Sequence, residues 1–207
     1  MKQFNGYAQA QENAKRTEGS RLPAGAYVCQ IKNVQYVAGE NGYSDRIDIL
    51  FDITEGEYKD FFKKQYDSNT SEEKKWKGRK SIYVPKDDGS QKDEWTKNSF
   101  AKWTNGFEDS NEGYKWDWHE EKWKSLFVGI VFGDTGTVID GKEIVYTEPR
   151  FACDVKAVRT GTAAKAKFVA KNGYTGNGSS DSGSSSAASS TNDFLNVADG
   201  VVEEIPF

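Results

Sequence analysis

The chain has 207 residues, of which 36% are hydrophobic and 14% aromatic, and its formal net charge is -4 at pH 7. This length fits one ordinary domain with tails, and no apolar run approaches the ~20 residues of a membrane-spanning helix. The N-terminal sequence lacks a signal-peptide apolar region, so we expect a soluble, intracellular protein. Cys29 and Cys153 lie far apart without metal-ligand spacing, and we expect free thiols and no redox function.

The charge is distributed unevenly along the chain. Residues 172–207 hold five acidic side chains and no lysine or arginine. Subtracting them leaves 32 - 5 = 27 acidic residues against all 28 basic residues in 1–171, a net of +1. The acidity therefore belongs to the tail, and the preceding body is nearly neutral with local basic clusters.

The first part of the chain predicts a polar arm and then three strands. Residues 1–20 are polar, and a strand follows over 26–37, where a shift of the alternation from Ile31 to Val34 predicts a bulge. The next strand alternates most clearly, with one buried and one solvated face. Its buried face is predicted to carry Ile47, Ile49, Phe51 and Ile53, and its solvated face Arg46, Asp48, Leu50 and Asp52. A third strand is predicted over 58–67.

The middle of the chain predicts a loop, one helix and further strands. Residues 68–80 form a charged loop, and 81–85 resume extended structure. Over 93–108, Phe100, Trp103, Thr104 and Phe107 recur at helical spacing, which predicts one amphipathic helix against the sheet. Strands are then predicted over 126–132, 143–146 and 150–158, with a turn over 133–141 and Pro149 at an edge or bend.

Beyond residue 160 the regular pattern stops. Residues 161–192 are rich in Gly, Ser and Ala and predict a flexible linker with a typical end-to-end distance of about 30 Å. Residues 193–207 follow as an acidic tip ending in Glu203, Glu204, Ile205, Pro206 and Phe207. A terminal phenyl ring beside a free carboxylate suits capture of a chain end by a partner, and the flexible tether favours this reading over a strand that plugs the core.

Binding of single-stranded nucleic acid needs rings on which bases stack and cations that follow the phosphates. The sequence concentrates both in the first hairpin, the third predicted strand and the following loop. The candidate nucleic-acid-binding residues are Tyr36, Tyr43, Arg46, Lys59, Phe61, Lys63, Lys64, Tyr66, Trp76, Lys77, Arg79, Lys80 and Tyr83. Trp76 is the strongest stacking candidate because cations flank it, whereas Asp48 and Asp52 would repel phosphate.

The five-residue ending at 203–207 resembles the acidic C-terminal tip of bacterial single-stranded-DNA-binding proteins, with Glu in place of the usual Asp. A body, a Ser/Gly-rich linker and this tip, together with Leu-Pro-Ala-Gly-Ala-Tyr at 22–27 and Gly-Glu-Tyr-Lys at 56–59, are similar to phage-encoded members of that class. The resemblance implies an OB-fold barrel with one amphipathic helix over 21–160 and a disordered acidic tail. The predicted class is thus mainly β.

The same resemblance implies a protein that protects single-stranded DNA in phage replication and recombination, inside the host bacterial cytoplasm. Its tip would recruit replication, recombination or repair enzymes, without a cofactor or a membrane; homo-oligomerisation stays open. Catalysis is not expected: His119 is the only histidine, and Trp123 stands where a zinc-protease helix needs its second ligand. Three alternatives remain: a strand-annealing recombination protein, a carbohydrate-binding module and an adaptor that works only through its tail.

Overall fold

The computed structural model describes residues 21–40 and 42–176, so the predicted arm 1–20, the linker beyond Gly176 and the tip lie outside the described residues. The strands are β1 Gly25–Val37, β2 Arg46–Ile53, β3 Arg79–Tyr83, β4 Phe127–Ile139, β5 Lys142–Cys153 and β6 Val169–Ala170. The helices are α1 Phe61–Ser68, α2 Gln91–Ser110, a short 3-10 helix Glu120–Trp123, and α3 Val155–Arg159. The predicted mainly β class is confirmed.

The strands form one sheet in the order β3-β2-β1-β4-β5, with antiparallel neighbours, and β6 adds to β4 in parallel. Within residues 21–40 and 42–176, β3 and β5 do not pair, so the sheet stays open. The predicted OB-fold barrel is therefore not confirmed. In the same part of the chain, no helix is both long enough and apolar enough for a membrane crossing.

The first hairpin follows its predicted pattern on the core side. Ile49, Phe51 and Ile53 are completely buried, and Ile47 is nearly so. The register between β1 and β2 shifts between Ile31 and Asn33, which confirms the predicted bulge and leaves Lys32 without a directly paired residue on β2. Leu50 and the two aspartates of β2, predicted to be solvated, are instead buried.

Helix α2 covers the core side of the sheet. Its predicted apolar stripe of Phe100, Trp103, Thr104 and Phe107 is buried, and the helix begins at the Ser90 side chain, whose Oγ accepts a hydrogen bond from the Asp93 amide at 3.1 Å. Gly106 permits a close approach to β5, because a Cβ atom there would lie 2.6 Å from the Ala152 side chain. The predicted helix over 93–108 is thus confirmed and slightly extended.

The predicted third strand over 58–67 is wrong, because α1 occupies most of it. The buried Asp52 carboxylate accepts hydrogen bonds from the backbone amides of Phe62 and Lys63 at 3.0 and 3.1 Å. These bonds satisfy donors that a helix leaves unpaired in its first turn. The Phe62 ring also packs edge-on against Phe51 in the core. Contacts distant in sequence therefore select a helix where the local pattern favours a strand.

The predicted turn over 133–141 is also wrong over most of its length. Strand β4 continues to Ile139, and the chain reverses only at Asp140 and Gly141, which both have positive φ. Gly136 is required for packing, since a Cβ there would lie 2.6 Å from the Tyr174 ring. This glycine marks a close approach within a strand and not a turn.

Strand β5 runs without interruption through Pro149. The register shifts between Val131 and Phe132 of β4, where Phe132 pairs with Pro149 and Arg150 is skipped. The proline therefore lies at an irregularity on an outer strand, as its missing N–H requires. The predicted last strand over 150–158 ends early, because Val155–Arg159 forms α3.

The chain remains in contact with the sheet after α3. β6 pairs Val169 with Thr135, and the amide and hydroxyl of Thr175 donate hydrogen bonds to Glu143 at 2.7 and 2.6 Å. The first residues of the predicted linker 161–192 thus lie against β4 and β5.

Candidate nucleic-acid interface

One side of β1, β2 and β3 presents basic and aromatic side chains; we call it the outer face, opposite the core. Residues directly across neighbouring antiparallel strands point to the same side of a sheet. The pairings place three rows on this face: Val37, Arg46 and Tyr83; Gln35, Asp48 and Ser81; Asn33, Leu50 and Arg79. Arg79 and Tyr83 are exposed, and Arg46 is half-buried.

The acidic residues of β2 are engaged within the protein. Arg46 Nε donates to Asp48 Oδ2 at 3.0 Å, and Asp48 is 6% exposed. Asp52 is 2% exposed and directs its carboxylate at the amides of α1. Burial raises the pKa of Asp52 above its usual value, against the lowering effect of those amides. Neither side chain is the solvated anion that the sequence predicts, so their repulsion of a phosphate is weaker than expected.

Trp76 is held in place by its polar edge. Its indole N–H lies within hydrogen-bond distance of the carbonyl oxygens of Phe51 and Gly78, at 3.0 and 3.1 Å. The ring packs partly buried against the core cluster and lies 5.7 Å from the Tyr66 ring, centroid to centroid. An indole fixed in this way loses little conformational entropy when a flat ligand stacks on it.

The other predicted residues of the first hairpin and of β3 divide between the two sides of the sheet. Tyr43 is exposed beside the hairpin turn, and Lys77 is exposed in the loop before β3. Tyr36 and Lys80 pair with Ile47 and Ile49, respectively, and so point to the core side. The Tyr36 hydroxyl donates a hydrogen bond to Asp45 at the end of that side.

The predicted residues Lys59, Phe61, Lys63, Lys64 and Tyr66 lie on or just before α1, so they do not line a strand as predicted. Phe61 packs edge-on against Tyr58 and Phe62, and Lys64 Nζ donates to the Lys59 carbonyl at 2.7 Å. Lys63 forms an ion pair with Asp67 on the helix surface. The Tyr66 ring contacts the ring of Trp76, in the loop before β3.

A groove opens beside Trp76 on the outer face. It has a volume of ≈ 230 Å³ and is lined by Lys32, Asn33, Leu50, Trp76 and Lys124. Of these five residues, only Trp76 is among the nucleic-acid-binding candidates that the sequence predicts. The bulge in β1 was a usable signal for Lys32, because a bulge redirects a side chain. Lys124 reaches the groove from a loop that follows the 3-10 helix, far from Lys32 in sequence, and no local pattern indicates that approach.

A second aromatic cluster lies on the core side, near α2. Trp118 is 75% exposed, has a φ of 67°, and its ring stacks on Phe100 at a centroid distance of 6.4 Å. Trp116 lies 5.8 Å from the Trp118 ring and 4.9 Å from the buried Trp123 ring. Charged neighbours of Trp118 include Asp117, which forms an ion pair with Lys122. Two lysines beside this cluster in sequence, Lys115 and Lys122, are thus paired with the carboxylates of Glu108 and Asp117.

The two cysteines are free, Cys29 buried and Cys153 partly so. Burial raises the pKa of the Cys29 thiol well above its usual value and that of Cys153 to about 11. In the range that the structure covers, no three His, Cys, Asp or Glu side chains are grouped to hold a metal ion.

A scan against protein-family models finds no match for the chain, and a search of curated proteins finds no significant match.

Proposed function

We propose that this protein binds single-stranded DNA through the outer face of β1–β3, as a phage-type single-stranded-DNA-binding protein. The observation that supports it best is the side-by-side placement of Arg46, Arg79 and Tyr83 on one face, next to the anchored Trp76. Each base stacked on an aromatic side chain contributes about 1 to 3 kcal/mol, and the cations follow the phosphates. The open sheet with a helix between β3 and β4 is, in this proposal, an incomplete OB-fold barrel.

The proposal is tested by gel shift with oligo-dT and with a duplex of equal length, at two salt concentrations. We expect the single strand to bind more tightly than the duplex. Its affinity should fall steeply as salt rises, because each phosphate contact releases counterions. Equal affinity for the duplex, or no shift at low salt, would reject the proposal; the second result would favour an adaptor that acts only through its tail.

We also propose that residues 203–207 recruit replication, recombination or repair enzymes in the host cytoplasm. Deleting Glu203–Phe207 should abolish capture of such enzymes from a bacterial lysate. DNA affinity should stay unchanged or rise slightly, because the acidic segment competes with DNA for the basic side chains of the body. The amount of enzyme captured is compared for three immobilised proteins: the full chain, the tip deletion, and a control with residues 181–185 deleted from the linker. Loss of DNA binding on deletion of the tip would contradict the two-part arrangement.

Two alternatives give different outcomes. A strand-annealing recombination protein would form large rings or filaments, which sedimentation with and without DNA detects. A carbohydrate-binding module is favoured by one observation, the exposed ring of Trp118. Stacking of sugars on that ring would respond little to salt, whereas binding to a single strand weakens with salt.

A further inference from the structure

We propose that the groove lined by Lys32, Asn33, Leu50, Trp76 and Lys124 is a pocket for one nucleotide of the bound strand. In this pocket the base lies between Trp76 and Leu50, and Lys32 and Lys124 bind the phosphates on either side of it. The inference rests on the proposed function and assigns it a specific subsite, formed mostly by residues outside the sequence-predicted set.

The shape of the groove suits a single ring system. Its volume of ≈ 230 Å³ is below the range of about 300 to 1,000 Å³ typical of sites for drug-sized ligands. Leu50 supplies an apolar floor and is only 5% exposed. Asn33 adds one side-chain amide. Its NH₂ group can donate hydrogen bonds and its oxygen can accept them, so it can pair with the donors and acceptors on the edge of a base. The lining therefore combines a ring, an apolar floor and one polar group able to contact a base.

The two lysines are placed by a rigid backbone arrangement. The Ser125 amide donates to the Ile31 carbonyl at 2.9 Å, and the Ile31 amide donates to the Leu126 carbonyl at 3.0 Å. These two bonds fasten the loop that carries Lys124 to β1, beside the bulge that carries Lys32. The Gln30 side-chain amide adds a third link, to the Ser125 carbonyl at 3.2 Å. The backbone positions of the two lysines are thus fixed relative to each other before a strand binds, which lowers the entropic cost of ordering the site.

Charge favours an anionic occupant. Lys32 Nζ donates a hydrogen bond to the Gln30 side chain at 2.9 Å. Because this partner is neutral, the contact does not offset the positive charge of Lys32. Arg79 pairs with Leu50 across the strands and adds a third cation beside the groove. The two aspartates of β2 are already engaged: Asp48 is paired with Arg46, and Asp52 accepts hydrogen bonds from the backbone amides of α1. The groove thus offers cations around an apolar slot, which matches a base with its flanking phosphates.

The test uses the full chain with both lysines replaced, Lys32→Gln and Lys124→Gln, and measures affinity for oligo-dT by fluorescence anisotropy over a range of salt. We expect a loss on the order of tenfold at low salt and a slope of log affinity against log salt that is shallower by about 1.4, since each single-strand phosphate contact contributes about 0.7. The control, Lys92→Gln with Lys102→Gln, removes two exposed lysines from α2 on the core side and should change neither quantity.

A second measurement locates the base without a change to the protein's fold. Ultraviolet crosslinking of a bromodeoxyuridine oligonucleotide, followed by peptide mass spectrometry, should modify Trp76. The matched exposed ring, Trp118, should stay unmodified. Wild-type affinity and salt slope in the Lys32/Lys124 variant, or crosslinks confined to rings outside the groove, would overturn the pocket while DNA binding itself stands. No binding of oligo-dT by the wild-type chain would instead overturn the proposed function.

Discussion

Replacing Trp123 by Ala should lower the free energy of unfolding by about 4 kcal/mol, the loss typical of a fully buried aromatic side chain. Trp123 is 0% exposed and stacks on Phe107 of α2 at a centroid distance of 4.5 Å and an interplanar angle of 23°. Its removal leaves a cavity between α2 and the chain that leads into β4, and close-packed surroundings relax only in part. Urea unfolding followed by circular dichroism measures the change.

Trp118→Ala is the matched control, because the same residue type is 75% exposed five positions earlier. Its unfolding free energy should stay within about 0.5 kcal/mol of wild type, as for most surface substitutions. If the two variants lose similar stability, the 3-10 helix is not anchored by Trp123 as the packing indicates.

The largest expected effect on DNA binding comes from reversing two exposed charges, Lys77→Glu and Arg79→Glu. Affinity for oligo-dT at low salt should fall on the order of 100-fold, because two phosphate attractions become repulsions. Lys77 lies in the loop before β3 and Arg79 is its first residue, and both side chains are exposed, so their replacement leaves the core intact. Anisotropy titrations at low salt measure the loss.

The control for this variant keeps the same change of net charge. Lys92→Glu and Lys102→Glu place the two reversals on α2, on the core side of the sheet. This control should bind with nearly wild-type affinity, losing only the long-range contribution that salt screens. Equal losses in the two double variants would show that net charge, and not the outer face, governs binding.

The parts of the fold that could be predicted from sequence are those that short-range hydrophobic periodicity determines. Period-two alternation predicted that Ile47, Ile49, Phe51 and Ile53 face the core. The helical spacing of Phe100, Trp103 and Phe107 predicted α2 and its buried stripe. The β1 bulge was equally readable, because a one-residue slip moves every later side chain to the other face. In each case the buried face is indicated by the spacing of apolar residues within a single strand or helix, so no knowledge of distant contacts is needed.

The candidate site was predictable only in part. Arg46, Arg79 and Tyr83 share a face because 79–83 pairs with β2, whereas the sequence predicts a loop over 68–80 and an extended segment over 81–85; Tyr36 and Lys80 fall on the other side of the sheet. The lysines predicted to lie on a third strand lie on or just before α1. The buried carboxylate of Asp52, on β2, accepts hydrogen bonds from the first turn of this helix and stabilises it. A capping contact between distant residues has no signature in the local pattern.

By itself, the sequence determined the mainly β class, the buried face of β2, the stripe of α2, and the separation of a nearly neutral body from an acidic tail. Those properties depend on composition and on short-range periodicity. Only the tertiary structure decided that α1 is a helix, that β4 continues past Gly136, and that Lys32 and Lys124 meet beside Trp76. Each of these depends on contacts between residues far apart in the chain, whose free energies outweigh local preference.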